Sequence, residues 1–302
     1  MSLVGSRRHA GAQGIRAGVP VGTTRAVIAL LAAAAVTVHS MQALRAPVRI
    51  GPPPGAAPAV ATPTPTPVTP PVTPAVAVAP GELARLPQAT TTGRLGAGVP
   101  KDPDPYAATS GVIAHPTRTV PVYARPGGQA IASLPATQLG PTWVPVIDAR
   151  PGWAQVLLPA RPNRASGWIT TAGGRVQLAR TDYLIRVALH AHRLTLLRGR
   201  HPVGTWPISA GTPATPTPTG RTFLLGQVDE TVSRYSAVIL PLGEHSTALD
   251  HFGGGPATIG IHTWPDPAVY GHDRSNGCIR IPPAGLRALQ RVPLGTLVIT
   301  TT

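Results

Sequence analysis

Several things are scarce in this 302-residue chain. A single cysteine, Cys278, excludes any disulfide within the chain. Lys101 is the only lysine, so nearly all the basic charge is arginine. Aromatic residues make up 4% and acidic residues number 11. No basic helix and no basic run interleaved with aromatics appears, which argues against nucleic acid as a partner. The apolar run near the N-terminus, residues 26–38, has 13 residues, short of the ~20 that a comfortable membrane span needs.

The excesses are as informative. There are 38 prolines and 33 glycines, too many for one compact fold, while 42% apolar residues suffice for real cores. Part of the chain is therefore expected to be an unfolded connector. The net charge is +15; residues 1–50 contribute +6 through Arg7, Arg8, Arg16, Arg25, Arg45 and Arg49. The remaining +9 suits anionic neighbours such as wall polymers or phospholipid headgroups, or simply an arginine-rich solvated surface.

The layout follows from composition. Residues 1–50 are expected to be a cytoplasmic tail with a signal or anchor segment: 26–38 suits a signal h-region and the arginines before it supply the positive flank. "SMQA", ending at Ala43, is a passable cleavage site, so the segment is either cleaved or retained as an anchor in the inner membrane. No cysteine lies near it, which excludes lipoprotein anchoring. Residues 51–80 hold eleven prolines and no charge, and their Thr-Pro and Val-Thr-Pro units favour a polyproline II spacer of roughly 90 Å. The whole stretch 51–110 is expected to be a disordered linker, its second half at most a loose strap.

From Val112 to Arg180 come short β-like runs, "TVPVYARPGG", "IASLP", "WVPVIDARPGWAQVLL" and "SGWITT", separated by Pro-Gly, Gly-Gly and Arg-Pro turns. The pairs Gly152-Trp153 and Gly167-Trp168 resemble the bacterial SH3-like domain, which implies a small barrel over 111–180 with a docking or spacing role. From Asp182 the strands sharpen: "YLIRVALHAHRLTLLRG" reads as two strands around a turn at His190–His192, followed by "HPVGTWPISAG", "RTFLLGQV", "TIGIHT" and "LGTLVITT". "PPAGLRALQRV" reads as a short helix behind an N-terminal proline. The fold class is thus mostly β with one or two short helices.

On its neighbours alone, Cys278 can be a reactive thiol, an intermolecular bridge or an inert core residue. Gly277 leaves the approach to it open. His262, at the end of a predicted strand, can reach a thiol and lower its pKa from ~8.5. Such a pairing predicts that acylation rises through the imidazole range. A metal site at His190 and His192 is the weaker option, because carboxylates near them are scarce.

"IGIHT" and "RSNGCIRI", with "GTPATPTPTGRTFLLG" before and "PLGTLVIT" after, resemble the catalytic domain of the L,D-transpeptidases of bacterial cell walls, over residues 182–302. The resemblance implies Cys278 as nucleophile and His262 as base. It implies Gly277 and Cys278 as backbone donors to an oxyanion, supported by Asn276, Ser275 and Thr263. Arg280 would brace the site or bind a substrate carboxylate. The family's Ser-His-Gly-Cys reads Ser275-Asn276-Gly277-Cys278 here, so the usual histidine is an asparagine that can still donate hydrogen bonds. His272 lies in the intervening loop.

The implied reaction is acylation by a donor tetrapeptide stem of peptidoglycan with loss of D-alanine, then a 3→3 cross-link to an acceptor amine. It needs no cofactor and no metal, and places the protein in the cell envelope. Two alternatives stay open. A sortase-like enzyme would carry its arginine several residues beyond the cysteine, whereas Arg280 is two away. A wall-binding module would keep the second domain as an inactive remnant.

Overall fold

The computed structural model describes residues 71–302; the apolar run 26–38 and the spacer up to residue 70 lie outside them. The described part is mostly β. A first sheet comprises β1 (Val112–Pro116), β2 (Val120–Tyr123), β3 (Ala130–Leu134), β4 (Val144–Arg150), β5 (Trp153–Leu157), β6 (Ser166–Thr170) and β7 (Val176–Arg180). Its seven strands run in the order β3-β2-β6-β5-β4-β1-β7. The sheet is open, with β3 and β7 as edges, so the expected closed barrel is corrected. "VIAHP" and "VQLAR", not anticipated as strands, form β1 and β7 and extend the sheet beyond β4.

The second half contains β8 (Tyr183–Ala188), β9 (Arg193–Arg198), β10 (His201–Pro207), β11 (Ala210–Gly211), β12 (Gly220–Phe223), β13 (Val228–Asp229), β14 (Val238–His245), β15 (Thr258–His262), β16 (Asp273–Ser275), β17 (Ile279–Arg280) and β18 (Leu297–Thr301). One sheet runs β10-β9-β8-β18-β12 and another β13-β14-β15-β17. The short helices are α1 (Pro80–Leu83) and α2 (Pro283–Leu289). The eight-residue β14 escaped the sequence reading because Pro241 and Gly243 look like breakers. It tolerates them through a register shift between Pro241 and His245.

Alternation explains the packing. Ile185 and Val187 of β8, Leu194 and Leu196 of β9, Ile259 and Ile261 of β15, Ile279 of β17 and Val298 of β18 share one core with Leu286 and Leu289 of α2. Both sheets of the second half thus turn an apolar face to a common interior. The first sheet has a core of its own, but Phe223, Leu225, Leu297 and Ile299 from the second half are part of it. The two halves are therefore welded by shared apolar surface rather than strung on a hinge.

Residues 71–110 depart from the expected disorder. Ala89 and Leu95 are buried in the first core. Ala89 N–H donates to the Ser133 carbonyl (2.8 Å) and Ser133 N–H to the Pro87 carbonyl (2.9 Å), covering the open edge at β3. Further along, Leu95 N–H donates to the Arg161 carbonyl and Asp102 N–H to the Arg164 carbonyl, both at 2.8 Å. Asp102 then meets Arg221 of β12 in a fork: Nε to Oδ2 at 2.7 Å and Nη2 to Oδ1 at 2.6 Å. Both side chains are almost completely buried. Scattered polar and proline-rich letters gave no sign of this, because the strap is held largely by its backbone and by two ion pairs, the buried Asp102–Arg221 and the exposed Arg94–Asp250.

β14 also carries Glu244, buried, with its Oε1 lacking a hydrogen-bond partner among the described residues. Burial alone pushes this carboxyl from 4.5 up to about 8, so it is protonated at neutral pH.

Two outcomes are expected. Asp102→Ala strands a buried guanidinium and should lower stability by about 3–5 kcal/mol in chemical denaturation. For Glu244 the folded state holds its proton more tightly than the unfolded chain, so stability should decline as pH rises from 4.5 to about 8. Glu244→Gln should flatten that limb in thermal melts across the same range.

Candidate active site

The site is built by one strand pair. β15 and β17 run parallel, with Ile261 opposite Ile279 and His262 opposite Arg280. Ile259, Ile261, Ile279 and Ile281 turn into the core. Because side chains alternate, His262, Arg280 and Cys278 must lie on the opposite face. His262 and Cys278, 16 apart in sequence, are so brought to one face of the strand pair by apolar burial.

The turn before the thiol is shaped by Ser275. Its Oγ accepts from Gly277 N–H (3.1 Å) and donates to the Cys278 carbonyl (2.6 Å). Gly277 sits at φ +112°, open only to glycine, and an added Cβ would stand 3.0 Å from Ile259 Cδ1. Thr217 donates to the Gly277 carbonyl (2.8 Å), and Thr212 N–H to the Ser275 carbonyl (3.0 Å). Gly277 N–H is thus engaged, whereas Cys278 N–H has no partner among the described residues. Asn276 is exposed and its side chain has no partner there either.

His262 is buried, and its Nδ1 lies 2.7 Å from the Thr263 carbonyl. That carbonyl can only accept, so Nδ1 carries the proton and Nε2 presents a lone pair. Thr263 ties the neighbouring loop: its N–H donates to Ser236 Oγ (3.1 Å) and its Oγ1 to the Tyr235 carbonyl (3.2 Å).

Aromatic rings unforeseen from the sequence surround the imidazole. Tyr235 meets it edge-on at 4.8 Å and Trp264 stands 6.3 Å away. The Arg280 guanidinium stacks on Trp264 at 3.6 Å, while its Nη1 donates to the Arg274 carbonyl (2.8 Å) and its buried Nε is unpartnered among the described residues. Tyr270 donates to the Ile281 carbonyl (3.2 Å). Trp264 was within reach of sequence reasoning, two residues past His262; Tyr235 and Tyr270 arrive from loops with no motif.

Burial dominates the electrostatics. It pulls His262 from 6.5 down to about 4, its bond to the Thr263 carbonyl opposing and Arg280 adding to the shift. It pushes the half-buried Cys278 thiol up, with the Gly260 peptide and Arg280 pulling back. At neutral pH the pair is therefore a neutral thiol beside a neutral imidazole. This moves the pH dependence expected from the sequence: the imidazole no longer titrates near 6.5.

The other histidines go elsewhere. His192, at φ +45° in the β8–β9 turn, contacts Asp273 through Nε2 (2.9 Å), and His190 and His272 are exposed. The described residues hold no group of three or more His, Cys, Asp or Glu placed to bind a metal.

Residues 182–300 match the family model described as YkuD, L,D-transpeptidase catalytic domain, and over that span the chain is an L,D-transpeptidase catalytic domain. The protein is accordingly an acyl-transferring enzyme. No curated protein matches the chain. Solved structures similar to it include an L,D-transpeptidase from Mycobacterium tuberculosis H37Rv (18% identity, 46% of this chain and 73% of that one, TM-score 0.34). Another is the catalytic domain of the E. faecium L,D-transpeptidase (23%, 40% and 97%, 0.32). A third is L,D-transpeptidase 3 from Mycobacterium tuberculosis with a faropenem-derived adduct (15%, 50% and 91%, 0.35). The assignment rests on the family match, not on these superpositions.

Alkylation of Cys278 by a small neutral reagent should follow a titration with its midpoint above the ~8.5 of a free thiol. Stopped-rate assays between neutral and alkaline pH, read by intact mass, measure it. A plateau already reached near neutrality would show a preformed thiolate instead.

Proposed function

We propose that the protein is a peptidoglycan L,D-transpeptidase in which Cys278 is the nucleophile and His262 the base. The observation that carries this is the placement of both side chains on one face of the β15–β17 pair, with the imidazole tautomer set by the Thr263 carbonyl. As Sγ attacks the carbonyl between the third stem residue and the terminal D-alanine, its proton passes to His262 Nε2. The C–S bond forms, the C–N bond breaks, and His262 returns the proton to the departing D-alanine amine. An acceptor amine then attacks the thioester, gives its proton to the imidazole, and the sulfur leaves with that proton restored. The product is a 3→3 cross-link.

Because both groups are neutral at rest, proton transfer accompanies attack rather than preceding it. Cys278 N–H is the amide left available for the oxyanion, and Gly277 N–H supports the turn through Ser275. Arg280, with an unpartnered Nε, is the group for a substrate carboxylate. Asn276, exposed at the rim, meets the stem peptide rather than Cys278. The first sheet, with its SH3-like Gly-Trp pairs, serves as a spacer or wall-docking module, and the arginine-rich surface favours anionic wall polymers. The place of action is the cell envelope, reached through the 26–38 segment. Among the described residues no helix is long and apolar enough to cross a membrane.

Incubation with a carbapenem, followed by intact mass, tests the nucleophile: one adduct is expected on the wild type and none on Cys278→Ala. Equal adducts, or none on either, reject the assignment. Acylation should stay level across neutral pH and fall as pH drops toward about 4, where His262 takes a proton and can no longer accept one. Disaccharide tetrapeptide substrates then separate cross-linking from trimming of D-alanine.

A further inference from the structure

The first sheet carries an aromatic trough unconnected with Cys278. Tyr123, Trp153 and Trp168 form a separate buried cluster, against which Val76 and Val78 of the proline-rich segment pack. Tyr123 and Trp153 meet edge-to-face, 5.2 Å apart at 85°, and Arg150 lies over Trp168 at 4.9 Å.

The segment is gripped by its backbone. Trp153 Nε1–H donates to the Thr73 carbonyl and Tyr123 O–H to the Val76 carbonyl, each at 2.7 Å. These carbonyls are three residues apart, one turn of a polyproline II helix, so both face the same side. Ala79, at φ −67° and ψ 150°, continues that conformation up to α1. Pro71 and Pro74 hold the chain extended and bring no N–H to be left unpaired. The sheet makes room through Gly152 and Gly127: a Cβ at either would come within 2.5 Å of Val72 Cγ1 or 2.8 Å of Thr73 Cγ2.

Aromatic walls, indole and phenol donors aimed at carbonyls one turn apart, and glycine clearances are the parts of a receptor for extended proline-rich chain. We propose that this trough is a docking site for Val/Pro-rich extended segments and that residues 72–78 are its occupant in cis. The spacer is thereby latched onto the first sheet, and the reach of the tether ends at Val72 instead of at the start of β1. The remaining repeats upstream, including a second Val-Thr-Pro at residues 68–70, carry the same chemistry.

Two full-length variants test it: Val76→Asp with Val78→Asp, and replacement of residues 71–79 by a Gly/Ser stretch of equal length. Both should unfold cooperatively yet show tryptophan emission shifted to longer wavelength, as Trp153 and Trp168 meet water. A labelled peptide of residues 70–80 should bind each variant saturably and the wild type not at all, its own trough being filled. Trp153→Phe introduced into either variant keeps the ring, removes the indole donor and should weaken capture severalfold. Unchanged emission in both variants, or peptide capture equal on wild type and variants, overturns the proposal. Sedimentation showing a wild-type dimer that dissociates in both variants would place the segment on a second copy and overturn the cis assignment.

Discussion

The chemistry of this protein depends on one pairing, that of two short parallel strands whose isoleucines are buried on the same side. Ile259, Ile261, Ile279 and Ile281 need the core, and satisfying them leaves His262, Cys278 and Arg280 no choice of face. A one-residue slip would turn the imidazole and thiol into the isoleucine core and move four isoleucines to the face of the site, so the hydrophobic effect itself enforces the register. Gly277 completes the constraint, because only at its positive φ does the turn deliver Cys278 onto the strand in phase. Positioning residues such as Ser275 and Thr217 then fix a geometry that burial has already selected.

The strap extends the same economy to the first half. It seals the β3 edge with backbone hydrogen bonds, and it reaches the second half through the Asp102–Arg221 fork. Since residues of β12 and β18 belong to the first core, the two halves cannot move independently without exposing Phe223 and Ile299. The site therefore rests on a scaffold larger than the span of the family match, and the strap is an integral part of it.

What was legible in the sequence was what alternation and local motifs express. The lone Cys278, the preceding Gly277, and His262 at the end of "TIGIH" all carry their signal within a few letters. The β8–β9 hairpin, α2 and β18 were legible for the same reason. β14 was not, because Pro241 and Gly243 disguise a strand that succeeds only by shifting register. Tyr235 was missed because its role comes from long-range packing against the imidazole, and Tyr270 because it reaches the Ile281 carbonyl from a loop; Trp264 alone stood near enough to His262 to be legible. The strap was hidden more deeply. "PVTPAVAVAP" has the same composition docked or free, and what decides between them lies eighty residues away in the Trp153 indole.

The resting charge state follows from this architecture. A thiol drawn into an apolar, aromatic-walled surface stays protonated, and the imidazole beside it stays neutral. Two neutral partners cost less to bury than an ion pair would in the same place. The protonated thiol is also a poor target for oxidants, since thiolate character governs that susceptibility. In the proposed mechanism, reactivity appears only when a carbonyl is presented and the negative charge can move off sulfur onto an oxygen beside the Cys278 N–H. His262, with its Nδ1 proton committed to the Thr263 carbonyl, has a single vacant position at Nε2 from which to take the thiol proton. On that proposal, the same burial that disfavours both charged forms makes proton transfer conditional on substrate, and it does so with the chain's only cysteine.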